Sequence, residues 1–359
     1  MSSLSKGRIV VAMSGGVDSS VAAALLKQQG YDVTGVMMKT WDSSTVQSPD
    51  IGRGCYGPGS SINIEDAGKV ANQLGIPFRV VDLSREFKSE ILDYFREEYL
   101  TGRTPNPCTR CNPRLKFGAL ARKVKESGIE FDFFATGHYA RVEYSRSEGH
   151  SLLKKAQDLR KDQSYFLALL SREQLNHTLF PLGEYTKSQV RRLAVKFELS
   201  VAEKTDSQDF FSGDYIPLLG PLVPGPILDR YGRELGRHSG IGYHTIGQRK
   251  GLGITRSRPL YVINLDPLRN AVIVGAKEET FHSSLFAAQL NWLAIDRLER
   301  PIKVKARIRY RHQEADADVT PVDEARVYVK FATPQMAITP GQTVVFYNGD
   351  VVVGGGIIE

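Results

Sequence analysis

The string Ser14-Gly15-Gly16-Val17-Asp18-Ser19 constrains this chain more than any other feature. It follows an apolar run at 8–13 that reads as a buried strand. It precedes a helical pattern at 19–29, which Gly30 closes. The two glycines let the backbone turn tightly and approach a ligand closely. The N–H groups at the start of the helix then face outward, and the helix dipole adds attraction for an anion such as a phosphate. Ser14 and Ser19 add hydroxyl donors, and Asp18 offers a carboxylate for Mg²⁺. No Gly-Lys-Ser/Thr follows, so this is not a Walker A loop. An ordinary glycine-rich strand-to-helix turn would not need the serines and the aspartate at these places.

The surrounding sequence alternates strand and helix. Residues 32–38 read as a second strand. Ile64, Ala67, Val70, Ala71 and Leu74 recur at helical spacing, with Asn63 as the expected cap and Gly75 as the stop. Residues 78–81 and 131–135 read as further strands. Such alternation predicts a doubly wound parallel sheet, whose ligands lie at the carboxyl ends of the strands. A second helical stretch is expected over about 162–199. Gly and Pro rise between 217 and 253, short strands follow at 260–264 and 271–274, and strands and turns alone fill the chain from about 285. The expected class is therefore α/β: an N-terminal parallel-sheet domain over 1–203, a small central domain over 204–284 and a C-terminal β-barrel over 285–359.

The chain has 359 residues, 41% of them hydrophobic and 24% charged, which supplies more than one core. No apolar run is long enough to span a bilayer, and the first residues lack the apolar stretch of a signal peptide. A cytoplasmic protein with no membrane association is expected. The net charge of +7 points toward a polyanionic partner, nucleic acid first among them. Only three cysteines occur, Cys55, Cys108 and Cys111. An odd, small number argues against a disulfide scaffold and for chemistry or metal binding, at least for the pair spaced C-x-x-C.

That pair lies in Thr104-Pro105-Asn106-Pro107-Cys108-Thr109-Arg110-Cys111-Asn112. The prolines are expected to keep the segment extended and out of a helix. Arg110, Arg114 and Lys116 surround Cys111 with positive charge, which favours the reactive thiolate. Two prolines and three cations are poor material for a core, so a purely structural role for the cysteines is disfavoured.

With these motifs in place, the chain resembles the bacterial tRNA-specific 2-thiouridylases, of the PP-loop ATP pyrophosphatase superfamily. The resemblance runs nearly end to end. It is carried by the phosphate loop, residues 38–42, 104–112 with Lys116-Phe117, 135–141, 161–167, 243–252 and 341–347. It implies an adenine nucleotide alpha hydrolase-like fold and a reaction in which ATP is split between the α and β phosphates. It implies ATP contacts from Ala12, Met13, Ser14, Gly15, Gly16, Val17, Asp18, Ser19, Met38 and Gly137, and a catalytic role for Cys111. It further implies that Asn106, Pro107 and Cys108 touch the target base. His138, Lys161, Asp162, Gln163, Arg309, Tyr310 and Gln342 would then serve tRNA recognition. Residues 302–311 support the last group independently. Ile302, Val304, Ala306, Ile308 and Tyr310 alternate with Lys303, Lys305, Arg307, Arg309 and Arg311, which predicts one cationic strand face suited to phosphates.

The chain also departs from the family. A second cysteine, expected near Phe211 within 204–211, is absent, and Cys108 stands where many members have Asp. Two substitutes for the usual cysteine relay are open. Cys108 can accept a persulfide and resolve with Cys111. Alternatively, Cys55, Cys108 and Cys111 hold a [4Fe–4S] cluster with one iron open to sulfide. A structural zinc completed by His138 ranks behind both. The implied activity is ATP-dependent thiolation of the 2-position of a tRNA wobble uridine by a tRNA-uridine 2-sulfurtransferase. The base is adenylated and receives a cysteine- or cluster-borne sulfur, releasing AMP and pyrophosphate. The partners are tRNA and a sulfur donor protein or sulfide, and a monomer is expected. Two other classes compete: another PP-loop adenylating ligase, which would not need Cys111, and a non-catalytic tRNA-binding protein.

Overall fold

The computed structural model describes residues 6–41, 56–57, 60–205, 215–254 and 258–359. It contains two compact units. One comprises Met1–Ile91, Cys108–Asp214 and Asp350–Val352; the other comprises Leu92–Pro107, Tyr215–Gly349 and Val353–Glu359.

In the first unit, β1 (Arg8–Ala12) leads into α1 (Val17–Gln28). β2 (Asp32–Lys39), α2 (Ser60–Leu74), β3 (Phe78–Asp82) and β4 (Phe133–Thr136) follow. A hairpin of β5 (Ala140–Ser145) and β6 (His150–Lys155) comes next, and then the short β7 (Thr178–Leu179). The sheet order is β3-β2-β1-β4-β7, with every pairing parallel. The chain therefore winds outward from β1 through β2 and β3 and resumes on the other side at β4. That reversal leaves a crevice at the carboxyl ends of β1 and β4, where ligands of such sheets bind. Apolar residues of both layers, including Val11, Val21, Leu25, Val70 and Ala135, form one buried core.

Gly30 adopts φ +89° and ends α1 by donating its N–H to Lys27 O, while Tyr31 N–H reaches Leu26 O. Gly75, at φ +56°, stops α2 as its sequence suggests. The start of α2 differs from expectation. The helix opens at Ser60, so Asn63 is no cap but a buried side chain inside the first turns. The single helical stretch expected over 162–199 is broken into Ser164–Leu167, Arg172–Asn176 and Lys187–Lys196, with β7 between the last two.

The second unit holds two sheets. β8 (Gly225–Asp229), β9 (Glu234–His238), β10 (Tyr261–Asp266) and β11 (Ala271–Gly275) are ordered β10-β11-β8-β9 over a small core of Ile227, Val262, Val272 and Val274. The remaining strands are β12 (Phe281–Trp292), β13 (Ile302–Arg307), β14 (Ala315–Pro321), β15 (Val327–Met336), β16 (Thr343–Asn348) and β17 (Val351–Ile358). They run in the order β12-β15-β14-β13-β16-β17, and β12 also pairs with β17. The sheet thus closes into a barrel that leaves no open edge among these strands. Its interior is filled by Val319, Val329, Phe331, Val344 and Phe346.

The fold is thus α/β, with a doubly wound parallel sheet, a small central sheet and a C-terminal β-barrel. Among the described residues, no helix is long and apolar enough to cross a membrane.

Candidate active site

The phosphate loop sits at the carboxyl end of β1, on the crevice. Gly15 takes φ +70°, and a Cβ there would fall 2.2 Å from Asn63 O, so only glycine fits. Ser14 N–H donates to Ser19 Oγ at 3.0 Å, and the two hydroxyls lie 3.2 Å apart. Ser20 Oγ donates to Gly16 O at 2.8 Å. These bonds fix the curl of the loop. Gly16 caps α1 without a side-chain bond, so helix-end N–H groups there have no capping side chain to satisfy them. A phosphate is the group such an end accepts.

Asp18 stands in the first turn of α1 and is engaged from two directions. Lys187 Nζ lies 2.7 and 2.8 Å from its two oxygens, and Tyr139 OH donates to Oδ1 at 2.8 Å. A second lysine, Lys204, donates to Gly15 O (2.9 Å), Asn63 Oδ1 (2.9 Å) and Asp66 Oδ2 (2.7 Å). Asn63, misplaced as a cap in the sequence reading, is therefore a tether between α2 and the loop. Sequence reasoning missed Lys187, Tyr139 and Lys204. Their partners lie far away along the chain, 169 residues in the case of Lys187 and Asp18.

Gly137 and His138 follow β4 and connect the loop to the cysteine segment. A Cβ on Gly137 would lie 2.6 Å from Ser19 N and 2.7 Å from Asp18 C, so this glycine rests directly on the start of α1. His138 packs against Phe117 and Phe180, with ring centroids 6.3 and 6.1 Å away. Its Nδ1 is 2.7 Å from Thr136 Oγ1. Burial, and then the Lys116 cation, hold its pKa well below the ordinary histidine value, so it is neutral at physiological pH. Met38, near the carboxyl end of β2, is half-buried.

Phe117 belongs to the helical stretch that carries the cysteines. Contrary to the expected extended segment, the chain is helical from Pro107 to Cys111 and continues as a wider π-type turn over Asn112–Leu120. Pro107 is tolerated because the first position of a helix needs no N–H partner. Cys108 and Cys111 are both unoxidised, the first half-buried and the second buried. Spaced i, i+3, they share one face of the helix. Asn112 Nδ2 donates to Phe166 O at 2.9 Å, and Gln174 Nε2 donates to Pro113 O at 2.8 Å. Of the expected cations, Arg110 and Arg114 are ion-paired with Glu90, at 3.2 and 3.6 Å. The positive surround of Cys111 is thus weaker than the sequence suggested.

The other expected contacts fall into two groups. Asp162 is buried and accepts from Ala156 N, Ser164 N and Ser164 Oγ, so its carboxylate shapes the turn that presents Lys161. Gln163 Oε1 accepts from Tyr139 N at 2.9 Å and so braces Tyr139. In the second unit, buried Gln342 donates from Nε2 to Thr104 O at 2.8 Å, holding the stretch that runs into Asn106 and Pro107. Arg309 Nη2 donates to Ile246 O and to Thr339 Oγ1.

The continuous cationic strand face is corrected. β13 stops at Arg307, and Arg309 and Arg311 lie in the turn beyond it. Within the strand, Lys303 faces Asp318 and Lys305 faces Asp316 across the sheet, and Arg307 pairs with Glu314 at 2.8 Å. The face therefore mixes signs.

Among the described residues, no group of three or more His, Cys, Asp or Glu could hold a metal ion; the expected zinc and cluster sets both include Cys55. Cys55 and Phe211 lie outside the described residues.

Comparison with known proteins identifies the framework. Residues 7–211 match a family model described as a tRNA methyl transferase HUP domain, 214–276 a tRNA methyl transferase PRC-barrel domain, and 282–358 an aminomethyltransferase beta-barrel domain. A tRNA-specific 2-thiouridylase of Endomicrobium trichonymphae is 49% identical over 355 residues, covering 98% of each chain. One from Caldanaerobacter subterraneus subsp. tengcongensis is 50% identical over 360 residues, again 98% of each. One from Symbiobacterium thermophilum is 49% identical over 98% of this chain and 92% of its own. A solved 4-thiouridine synthetase–RNA complex with bound ATP covers 60% of this chain and 46% of its own at 16% identity and a TM-score of 0.33, too slight a likeness to bear on the site. With near-complete coverage at about half identity, and with a glycine-built phosphate loop linked through Gly137 and His138 to a C-x-x-C helix, the chain belongs to the tRNA-specific 2-thiouridylase family.

Proposed function

We propose that this chain is a tRNA-uridine 2-sulfurtransferase that uses ATP to exchange the 2-oxygen of a wobble uridine for sulfur. The observation that carries the reading is the pair Gly137-His138. One residue rests on the ATP-type loop and the next packs on the helix bearing Cys108 and Cys111. Activation and sulfur delivery can therefore act on one base.

The loop from Ala12 to Ser19 holds the phosphates through helix-end N–H groups and the Ser14 and Ser19 hydroxyls, while Met38 and Gly137 flank the nucleotide. The uridine turns out of its stack toward Asn106, Pro107 and Cys108, because its 2-oxygen is unreachable while stacked. That oxygen attacks the α-phosphorus, the bond to the β-phosphate breaks and pyrophosphate leaves. A poor leaving oxygen has become a good one. The terminal sulfur of a persulfide on Cys111 then bonds to C2, and AMP departs. Cys108, on the same helical face, attacks the inner sulfur and frees the thiolated base, leaving a Cys108–Cys111 disulfide that a separate dithiol reductant reopens by thiol–disulfide exchange. Neutral His138 and the residues Lys161, Asp162, Gln163, Arg309, Tyr310 and Gln342 orient the tRNA or the segments that meet it.

Asp18 fits a Mg²⁺ ion. It is a single carboxylate in the first turn of α1, of the hard oxygen type that would hold that ion. Bound there, the ion would neutralise charge on the departing pyrophosphate. A [4Fe–4S] cluster would take Cys55 as its third thiolate beside Cys108 and Cys111, and Cys55 lies outside the described residues. The protein would act as a monomer in the cytoplasm.

The test is thiolation of unmodified tRNA by anaerobically purified protein supplied with ATP and a persulfide donor, with iron measured on the same sample. Loss of 2-thiouridine in Cys111→Ser and in Cys108→Ser, without iron in the wild type, supports the cysteine route. Full thiolation by both variants overturns it. Iron lost on replacing any of Cys55, Cys108 or Cys111 transfers the sulfur to a cluster.

A further inference from the structure

Lys187 is absent from the residues that the family resemblance assigns, yet the fold builds it into the phosphate loop. It opens the helix Lys187–Lys196, which is fixed by a capping box between Thr186 and Gln189. Its own N–H donates to Asp158 Oδ2 at 3.2 Å, and Asp158 is buried. The start of this helix is therefore anchored independently of the loop. From there the side chain, only 15% exposed, reaches both oxygens of Asp18. Tyr139 completes the cluster. Its hydroxyl bonds Asp18, its ring lies 5.8 Å from the ammonium, and its backbone is pinned to Gln163.

The placement answers an electrostatic problem. The first turn of α1 must receive several phosphate charges, and the Asp18 carboxylate beside it repels them. A surface lysine would satisfy Asp18 only weakly and at a cost in side-chain entropy. Here a lysine is instead shielded and pre-positioned on a separately anchored helix, within one hydrogen bond's reach of the groups that flank the phosphate position. We propose that Lys187 is a phosphate-positioning residue. It neutralises Asp18 in the empty loop and passes to a polyphosphate oxygen when ATP binds, leaving Asp18 to the rest of the site. This rests on the ATP-using reading given above.

The test is calorimetric titration of the full chain with ATP and, separately, with adenosine. Losing one charge-assisted bond to phosphate weakens ATP binding by roughly 10- to 100-fold in Lys187→Ala, with adenosine binding unchanged. Lys187→Met keeps most of the apolar stem of the side chain and removes the charge. It gives the same pattern and decides the matter if the alanine variant does not fold. Unchanged ATP affinity in either variant, or an equal loss for ATP and adenosine, overturns the proposal, because the second pattern is that of local collapse. Failure of the wild type to bind ATP overturns the ATP-using reading itself, and the proposal with it.

Discussion

The contact between Gly137 and the start of α1 gives the sharpest prediction. Gly137→Ala adds one Cβ in a backbone conformation that any residue adopts, so space alone decides the outcome. The new carbon would lie 2.6 Å from Ser19 N, where ordinary contact begins at 3.4 Å, and its closest neighbours are all backbone. The strand end and the helix must separate by about 0.8 Å, the difference of those two distances. Overpacking of this kind costs about 1–3 kcal/mol. A displacement near 1 Å at a phosphate-positioning element costs about 10²-fold in rate. The assay is tRNA-dependent pyrophosphate release alongside thermal melting. Gly68→Ala serves as the control. It lies in α2, its new Cβ would meet nothing closer than 3.8 Å, and alanine gains about 1 kcal/mol over glycine in a helix. Wild-type pyrophosphate release by Gly137→Ala would refute the claim that this glycine holds the loop in register.

Three further outcomes are expected. His238 and His244 are buried with ring centroids 5.5 Å apart, and the Nδ1 of each lacks a hydrogen-bond partner. Burial, and then its histidine neighbour, push His244 down to about 4. The unfolded chain therefore binds more protons between that value and about 6.5. Stability is complete above the upper limit and falls by on the order of 3 kcal/mol as pH drops through the window. His244→Phe should flatten the dependence of melting temperature on pH between these limits, and an unchanged slope would count against the assignment. Asp162→Ala leaves two backbone N–H groups and the Ser164 hydroxyl without their acceptor. It should cost about 2–4 kcal/mol in urea melts, and a cost within about 0.5 kcal/mol would mean that the turn does not depend on it. Gln342→Ala should slow thiolation while costing only about 1 kcal/mol of stability, because it releases Thr104 O in the stretch leading to the cysteines; unaltered thiolation would contradict that role.

Local chemistry made part of this protein legible in its sequence. The loop at 14–19, the helix stops at Gly30 and Gly75 and the barrel at the end of the chain follow from glycine geometry and hydrophobic period. Asn63 suits a cap by residue type, yet the helix starts earlier and Lys204 recruits the side chain across the fold. The strand expected over 302–311 ends at Arg307, because the alternation of side chains continues into a turn where the ladder has already ended. The prolines beside Cys108 read as helix breakers, yet Pro107 occupies the one helical turn that accepts it. Lys187, Tyr139 and Lys204 could not be read locally at all. Each acts on the loop through a contact that exists only once the sheet and its helices have packed.

In the proposed reaction ATP is split between the α and β phosphates to activate a uridine that then receives sulfur. The most direct test measures nucleotide products and 2-thiouridine together in a single turnover with tRNA and a persulfide donor. AMP and pyrophosphate should appear in equal amounts with the thiolated base. With Cys111→Ser, an adenylated tRNA should accumulate instead. ADP and orthophosphate as products, or 2-thiouridine formed without consumption of ATP, would contradict it.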